Sequence, residues 1–160
     1  MLNQLRDVFA SFQRHNVKYL VICGIAAVLH GVPRATFDLD ILIEATSENA
    51  KRLLDALLEA GLGTAALTSA EELLSHEITI FKDRVRIDVQ TTTPGVRFEE
   101  AWEEREDLNY RGVALYVVSR KGLIASKRAD GRAVDLEDVR LLELDREAEG
   151  TRNTGKLTRG

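Results

Sequence analysis

The chain has a single cysteine, Cys23, among its 160 residues. That excludes an internal disulfide and a cysteine-rich zinc site, and it fits a reducing compartment such as the cytoplasm. Long hydrophobic runs are also missing. No stretch approaches the roughly 20 apolar residues of a membrane span, and the opening MLNQLRDVFASFQRH lacks the apolar core of a signal peptide. No excess of positive charge is present either. The formal net charge is −4, so no global basic field draws in nucleic acid, although a local basic patch is compatible with it. No internal repeat is visible. What remains is ordinary for a globular protein, with 44% hydrophobic and 30% charged residues in a length that suits one domain with a proper core. The expected domain spans 1–145, and the polar stretch 146–160, which lacks an apolar period, is expected to be disordered.

Hydrophobic spacing divides the chain into short elements. Leu2, Leu5, Val8, Phe9 and Phe12 recur at helical intervals, which predicts an amphipathic helix over 2–14. VKYLVI (17–22) reads as a buried strand, and IAAVLHG (25–31) as a short helix ended by Gly31. A strand is expected over 37–43, and a helix over 48–60 capped by Ser47. Ser69 and Glu72 suggest a capping box for a helix over 70–74. EITIF (77–81) and RVRIDVQ (84–90) flank the turn KD as a hairpin. A charged helix over 98–106 carries Trp102, VALYVVS (113–119) is the last expected strand, and helices follow over 120–129 and 135–144. Strands and helices alternate irregularly around one hairpin. The expected class is therefore α/β or α+β, a mixed sheet flanked by helices.

The chemistry concentrates in RATFDLDILI, from Arg34 to Ile43. Asp38 and Asp40 are two residues apart, so on a strand they point to one face. Asp88 sits in the same way between Ile87 and Val89. If the two strands are neighbours, three carboxylates converge, opposite the core-facing residues. Clustered like charges repel unless a cation neutralises them. Hard oxygen ligands suit Mg²⁺, which also binds substrate phosphates, and metal ions held this way serve in-line phosphoryl displacement. The plain alternative is three solvated aspartates on sheet edges.

The order strand, glycine, short helix, loop, D-x-D strand and later a lone aspartate resembles the DNA polymerase β-like nucleotidyltransferase superfamily, and within it the small bacterial proteins of minimal and abortive-infection-toxin type. CGIAAVLHGVPRATFDLDILI carries the resemblance through Ala26, His30-Gly31, Arg34, Thr36 and the D-x-D pair. SRKGLIASKRADGRAVDLEDVRLL adds the family's later signature through Lys127, Gly131-Arg132, Asp135 and Asp138. Together these cover roughly residues 15–145. One position departs: the family's glycine pair stands here as Cys23-Gly24.

The resemblance implies a nucleotidyltransferase fold and transfer of a nucleoside monophosphate from a nucleoside triphosphate to an acceptor hydroxyl on RNA, protein or a small molecule. Asp38, Asp40 and Asp88 would be the catalytic and metal-binding residues, with Mg²⁺ or Mn²⁺ as cofactor. Cys23, Gly24, Arg34, Thr36 and Lys127 would bind the nucleotide. A toxin–antitoxin or defence setting follows from the same likeness, with any partner protein separate from this chain. The alternative it leaves open is a non-catalytic nucleotide-binding or partner-binding module on the same fold. Among the singled-out residues, Arg34 also suits an ion pair with Asp38 or Asp40, Arg132 and Asp135 suit an ion pair fixing the last helix, and His30 suits a helix C-terminus.

Overall fold

A computed structural model describes residues 2–36 and 38–144. Phe37, the expected boundary at 145 and the expected polar tail 146–160 lie outside the described residues. The helices are α1 (Leu2–Arg14), α2 (Cys23–Leu29), α3 (Ser47–Glu59), α4 (Ala70–Ser75), α5 (Phe98–Glu103) and α6 (Arg120–Asp130). A further helix, α7, covers 133–144. The strands are β1 (Tyr19–Ile22), β2 (Leu39–Ile43), β3 (Ile78–Lys82), β4 (Arg86–Gln90), β5 (Glu106–Tyr110) and β6 (Val113–Val117). They form one six-stranded sheet in the order β3-β4-β2-β1-β6-β5. The sheet is mixed, as expected: β2 runs parallel to β4 and β1 parallel to β6, while β1–β2, β3–β4 and β5–β6 are antiparallel.

Strand alternation separates a core face from a cleft face. Tyr19 packs its ring against Phe9 and Phe12 of α1, at centroid distances of 6.0 and 4.9 Å. Register then carries the core face outward: Val21 lies opposite Ile41, and Ile41 opposite Val89. All of these are buried, as are Leu39, Ile43, Ile87 and Phe81. The intervening residues form the other face. Ile22 lies opposite Asp40, Asp40 opposite Asp88, and Asp88 opposite Ile80. One row of residues thus crosses four strands and places two aspartates in its middle.

Local chemistry differs from the expected reading in three places. Thr46, not Ser47, caps α3, its hydroxyl accepting from the Asn49 N–H at 3.2 Å. Both are hydroxyl residues, and the chain enters the helix one residue earlier than the spacing suggests. Asp38 precedes β2 instead of lying within it. The charged helix ends at Glu103, and Glu106–Tyr110 is a strand that pairs with β6 through a tight turn at Arg111-Gly112. Both turn residues take positive φ, 50° and 82°, the twist that suits a two-residue hairpin. Ser69 and Ser119 cap α4 and α6 as expected.

Asn49 ties α3 to the sheet and is fully buried. Its Oδ1 accepts from the Lys18 N–H at 2.8 Å, and its Nδ2 donates to the carbonyls of Lys18 and Glu44, both at 2.9 Å. Asn49→Ala removes these three hydrogen bonds and strands the Lys18 N–H, while the carbonyls of Lys18 and Glu44 keep the N–H groups of Glu44 and Thr46. The expected loss is roughly 3 kcal/mol, read as a lowered urea midpoint with an unchanged m-value.

Candidate active site

The cleft face of the sheet opens into a cavity of about 930 Å³. Its lining includes all eight residues that the resemblance assigns to metal and nucleotide: Cys23, Gly24, Arg34, Thr36, Asp38, Asp40, Asp88 and Lys127. They arrive from the start of α2, the loop before β2, the strands β2 and β4, and α6. Residues up to about a hundred positions apart in the chain therefore meet around one space.

The acidic floor comes from register. Because β2 and β4 are parallel and Asp40 lies opposite Asp88, the two carboxylates stand side by side on one face, a placement that costs stability through like-charge repulsion. Asp38 joins them from just before β2 and lines the same cleft. Burial, then the neighbouring charges of Asp88 and Asp38, push the Asp40 carboxyl from 3.8 up to about 7, against the opposing pull of Arg86 and Arg132. Negative charge at this spot is thus only partly compensated by the protein's own cations. A set of crowded, oxygen-only donors has the chemistry that a hard divalent cation requires.

The protein supplies one cation to the floor. Arg86 stands two residues before Asp88 on the same strand face. Its Nε donates to Asp88 Oδ1 at 2.9 Å and its Nη2 to Asp88 Oδ2 at 3.2 Å. Nε also lies 3.9 Å from Asp38 Oδ2. Among the described residues, no group of three His, Cys, Asp or Glu side chains is gathered closely enough to hold an ion. Arg86 is not among the residues singled out from the sequence. Its spacing of two from Asp88 on a strand was the available signal.

The start of α2 is tight. Cys23 has φ of 58°, a left-handed conformation that costs an L-residue roughly 1 kcal/mol and that glycine adopts freely. The position that holds glycine in the resembled family is therefore one where this backbone favours glycine. Burial, followed by the Asp40 charge, pushes the Cys23 thiol up to about 12, so it is a neutral thiol and not a thiolate nucleophile. At Gly24 an added Cβ would lie 2.8 Å from Thr36 Oγ1. Gly24 thus lets the loop before β2 close over α2 and presents its backbone to the cleft.

The basic wall is a network around the buried Lys127, Asp135 and Asp138. Arg34 Nη1 pairs with Asp138 Oδ2 at 2.6 Å, which replaces the expected pairing with Asp38 or Asp40. Lys127 Nζ lies 2.8 Å from the same oxygen and 3.6 Å from Asp135 Oδ1. Arg132 Nε donates to Asp135 Oδ2 at 2.7 Å, so that Arg132 and Asp135 do fix the last helix by an ion pair. Asp135 is buried, which raises its pKa, yet Arg132 and Lys127 outweigh this and hold it below the ordinary carboxylate value. Arg34, Lys127 and Arg132 face Asp135 and Asp138 here, and Asp130, which lines the same cleft and acts on Arg132, balances the third cation. Lys127 is only 4% exposed, so its ammonium is first a structural partner of α7 and not a loose cation. His30 closes α2 as its C-cap residue, and its Nε2 meets the Val118 carbonyl at 2.8 Å.

The fold agrees with what comparison with known proteins finds. Residues 2–149 match a family model described as Nucleotidyltransferase of unknown function (DUF6036). The chain belongs to this nucleotidyltransferase family. Among solved structures it is similar to a candidate nucleotidyltransferase from Thermotoga maritima, at 15% identity over 99% of this chain and 93% of that one, with a TM-score of 0.50. It is also similar to an antigenic nucleotidyltransferase-like protein from Paracoccidioides brasiliensis, at 17% identity over 88% of this chain and 74% of that one, with a TM-score of 0.55. At these identities the likeness is one of fold. No curated protein matches the sequence. Among the described residues, no helix is long and apolar enough to cross a membrane.

Two outcomes follow from this electrostatic layout. The Asp40 carboxyl binds its proton more tightly in the folded state than in the unfolded one, so stability falls as pH rises from about 4 to about 7. Asp40→Asn removes that slope. In EDTA, the variant's urea midpoint relative to wild type should rise between pH 5 and pH 8, by an amount on the order of 3 kcal/mol at most. Lys127→Met removes one cation from the buried network and leaves Asp135 and Asp138 under-compensated. A loss of about 3 kcal/mol or more is expected in the same denaturation assay, and Lys127→Met/Asp138→Asn should recover part of it.

Proposed function

We propose that the cleft binds a nucleoside triphosphate together with Mg²⁺ or Mn²⁺ and transfers a nucleoside monophosphate to an acceptor hydroxyl. The observation that carries this reading is the in-register pair Asp40–Asp88, with Asp38 beside it, facing the backbone of Cys23-Gly24 across one cleft. Asp38, Asp40 and Asp88 would hold the cation, which supplies charge neutralisation at the phosphates. In the reaction the acceptor oxygen bonds to the α-phosphorus, the bond from that phosphorus to the bridging oxygen breaks, and pyrophosphate departs. Asp88, on the strand nearer the open sheet edge, helps to activate the acceptor hydroxyl and holds it in line. The backbone of Gly24, the loop residues Arg34 and Thr36, and the cations Lys127 and Arg132 would orient the triphosphate. Such catalysis is mostly positioning and electrostatic stabilisation. The likeness to small bacterial nucleotidyltransferases supports a cytoplasmic role in a toxin–antitoxin or defence system beside a separate partner protein. RNA, protein or a small molecule would supply the hydroxyl.

One observation favours a second reading, a nucleotide-binding or partner-binding module without turnover: Arg86 already engages both oxygens of Asp88. Turnover separates the two. Wild type and Asp88→Asn are incubated with four α-labelled nucleoside triphosphates, Mg²⁺ and cell lysate. Wild type is expected to label an acceptor at least 100-fold faster than Asp88→Asn, in keeping with loss of a group that stabilises charge in the transition state. Cys23→Gly is expected to label as well as wild type or better. Equal labelling by wild type and Asp88→Asn would defeat the catalytic assignment.

A further inference from the structure

The cleft floor holds a cation of its own. Arg86 and Asp88 share one face of β4, and the guanidinium fork takes both carboxylate oxygens of Asp88 at 2.9 and 3.2 Å. The same Nε lies 3.9 Å from Asp38. A bidentate Arg–carboxylate pair is among the stronger ion pairs a protein makes. It uses the oxygens that a divalent ion would need from Asp88. The pair is also free to open. Asp88 is largely buried, with its side chain 16% exposed, while that of Arg86 is 38% exposed. The guanidinium can therefore turn to water without burying its charge, and Asp88 would be left on the cleft floor with a vacancy beside it for another cation.

We infer that Arg86 is an intramolecular counter-ion that competes with the divalent cation for Asp88, so that metal loading and the Arg86–Asp88 pair exclude each other. This rests on the reading of Asp88 as a metal ligand. It goes beyond that reading in stating what holds the site when no metal is there, and why the site's metal affinity is set below what three carboxylates would give. In the paired state Arg86 offsets part of the repulsion among Asp38, Asp40 and Asp88. In the loaded state the metal does so, and Arg86 projects from the open side of the cleft.

The test is a Mn²⁺ titration of the full chain without nucleotide, followed by the electron paramagnetic resonance signal of free Mn²⁺. Wild type, Arg86→Gln, Asp88→Asn and Arg86→Gln/Asp88→Asn are compared. Arg86→Gln is expected to bind Mn²⁺ at least tenfold tighter than wild type. Asp88→Asn is expected to bind more weakly than wild type, and adding Arg86→Gln to it should change nothing, since no fork is left to compete. If Asp88→Asn weakens binding but Arg86→Gln binds no tighter than wild type, the counter-ion role is overturned and Asp88 stays a ligand. If Asp88→Asn binds as wild type does, or no form binds, the reading of the site falls along with the inference. Arg86→Lys keeps the charge and loses the fork. Should Arg86→Gln fail to fold by circular dichroism, Arg86→Lys decides alone: tighter binding than wild type supports the inference, and equal or weaker binding overturns it.

Discussion

Two carboxylates held side by side on adjacent parallel strands repel each other, and the rest of the cleft is arranged around that repulsion. The parallel pairing of β2 with β4 makes Asp40 and Asp88 neighbours, and the core face beneath them fixes the register. A one-residue slip would turn Ile41 and Val89 out to the cleft and both aspartates into the apolar layer. The core thus enforces a placement that electrostatics alone would undo. The repulsion is met locally by Arg86, and by Asp40 retaining its proton up to about pH 7. Natural sheets seldom keep such a pair without a use for it, since an apolar or amide residue at either position would be more stable.

The cleft has a division of labour that follows from its chemistry. Its floor is acidic and shallow in the sheet. Its opposite wall is built from long cations on α6 and on the loops before β2 and α7, and these are held by Asp135 and Asp138 of α7. Those two aspartates are buried and keep the cations in place while cancelling only part of their charge. The family match supports the nucleotidyltransferase class across nearly the whole chain, while the distant solved structures support the fold. On the open side of the cleft, β3 ends the sheet with Ile78 and Ile80 half-exposed.

Much of this was legible in the sequence, for reasons tied to periodicity. Alternation around Asp38, Asp40 and Asp88 revealed which face they share, and the spacing of Leu5, Val8, Phe9 and Phe12 marked α1 within a residue. What was missed lacked a local signal. β5 reads EDLNY, an acidic edge strand whose first residues continue a charged helix, and its turn hides the usual Asn-Gly pair behind Arg111-Gly112. Thr46 and Ser47 are chemically alike as caps, so only the entry angle of the chain chooses between them. Arg34 finds Asp138 across 104 positions, a pairing set by how α7 returns to the loop before β2 and not by any neighbour in sequence. Likewise, Lys127 reads as a surface helix lysine until α7 covers it.

That last arrangement has a bearing on how the chain can be shortened. α7 is the only described element that supplies acidic partners to Arg34, Lys127 and Arg132. A fragment ending at Asp130 would keep all six strands and every acidic residue of the floor, yet it would leave Lys127 without its counter-charges and uncover the apolar surface met by Val139 and Leu142. The sheet and its carboxylates are therefore not a separable catalytic piece. The smallest unit that carries the cleft extends through Leu142, and any recombination with a relative has to exchange α6, α7 and the loop bearing Arg34 together.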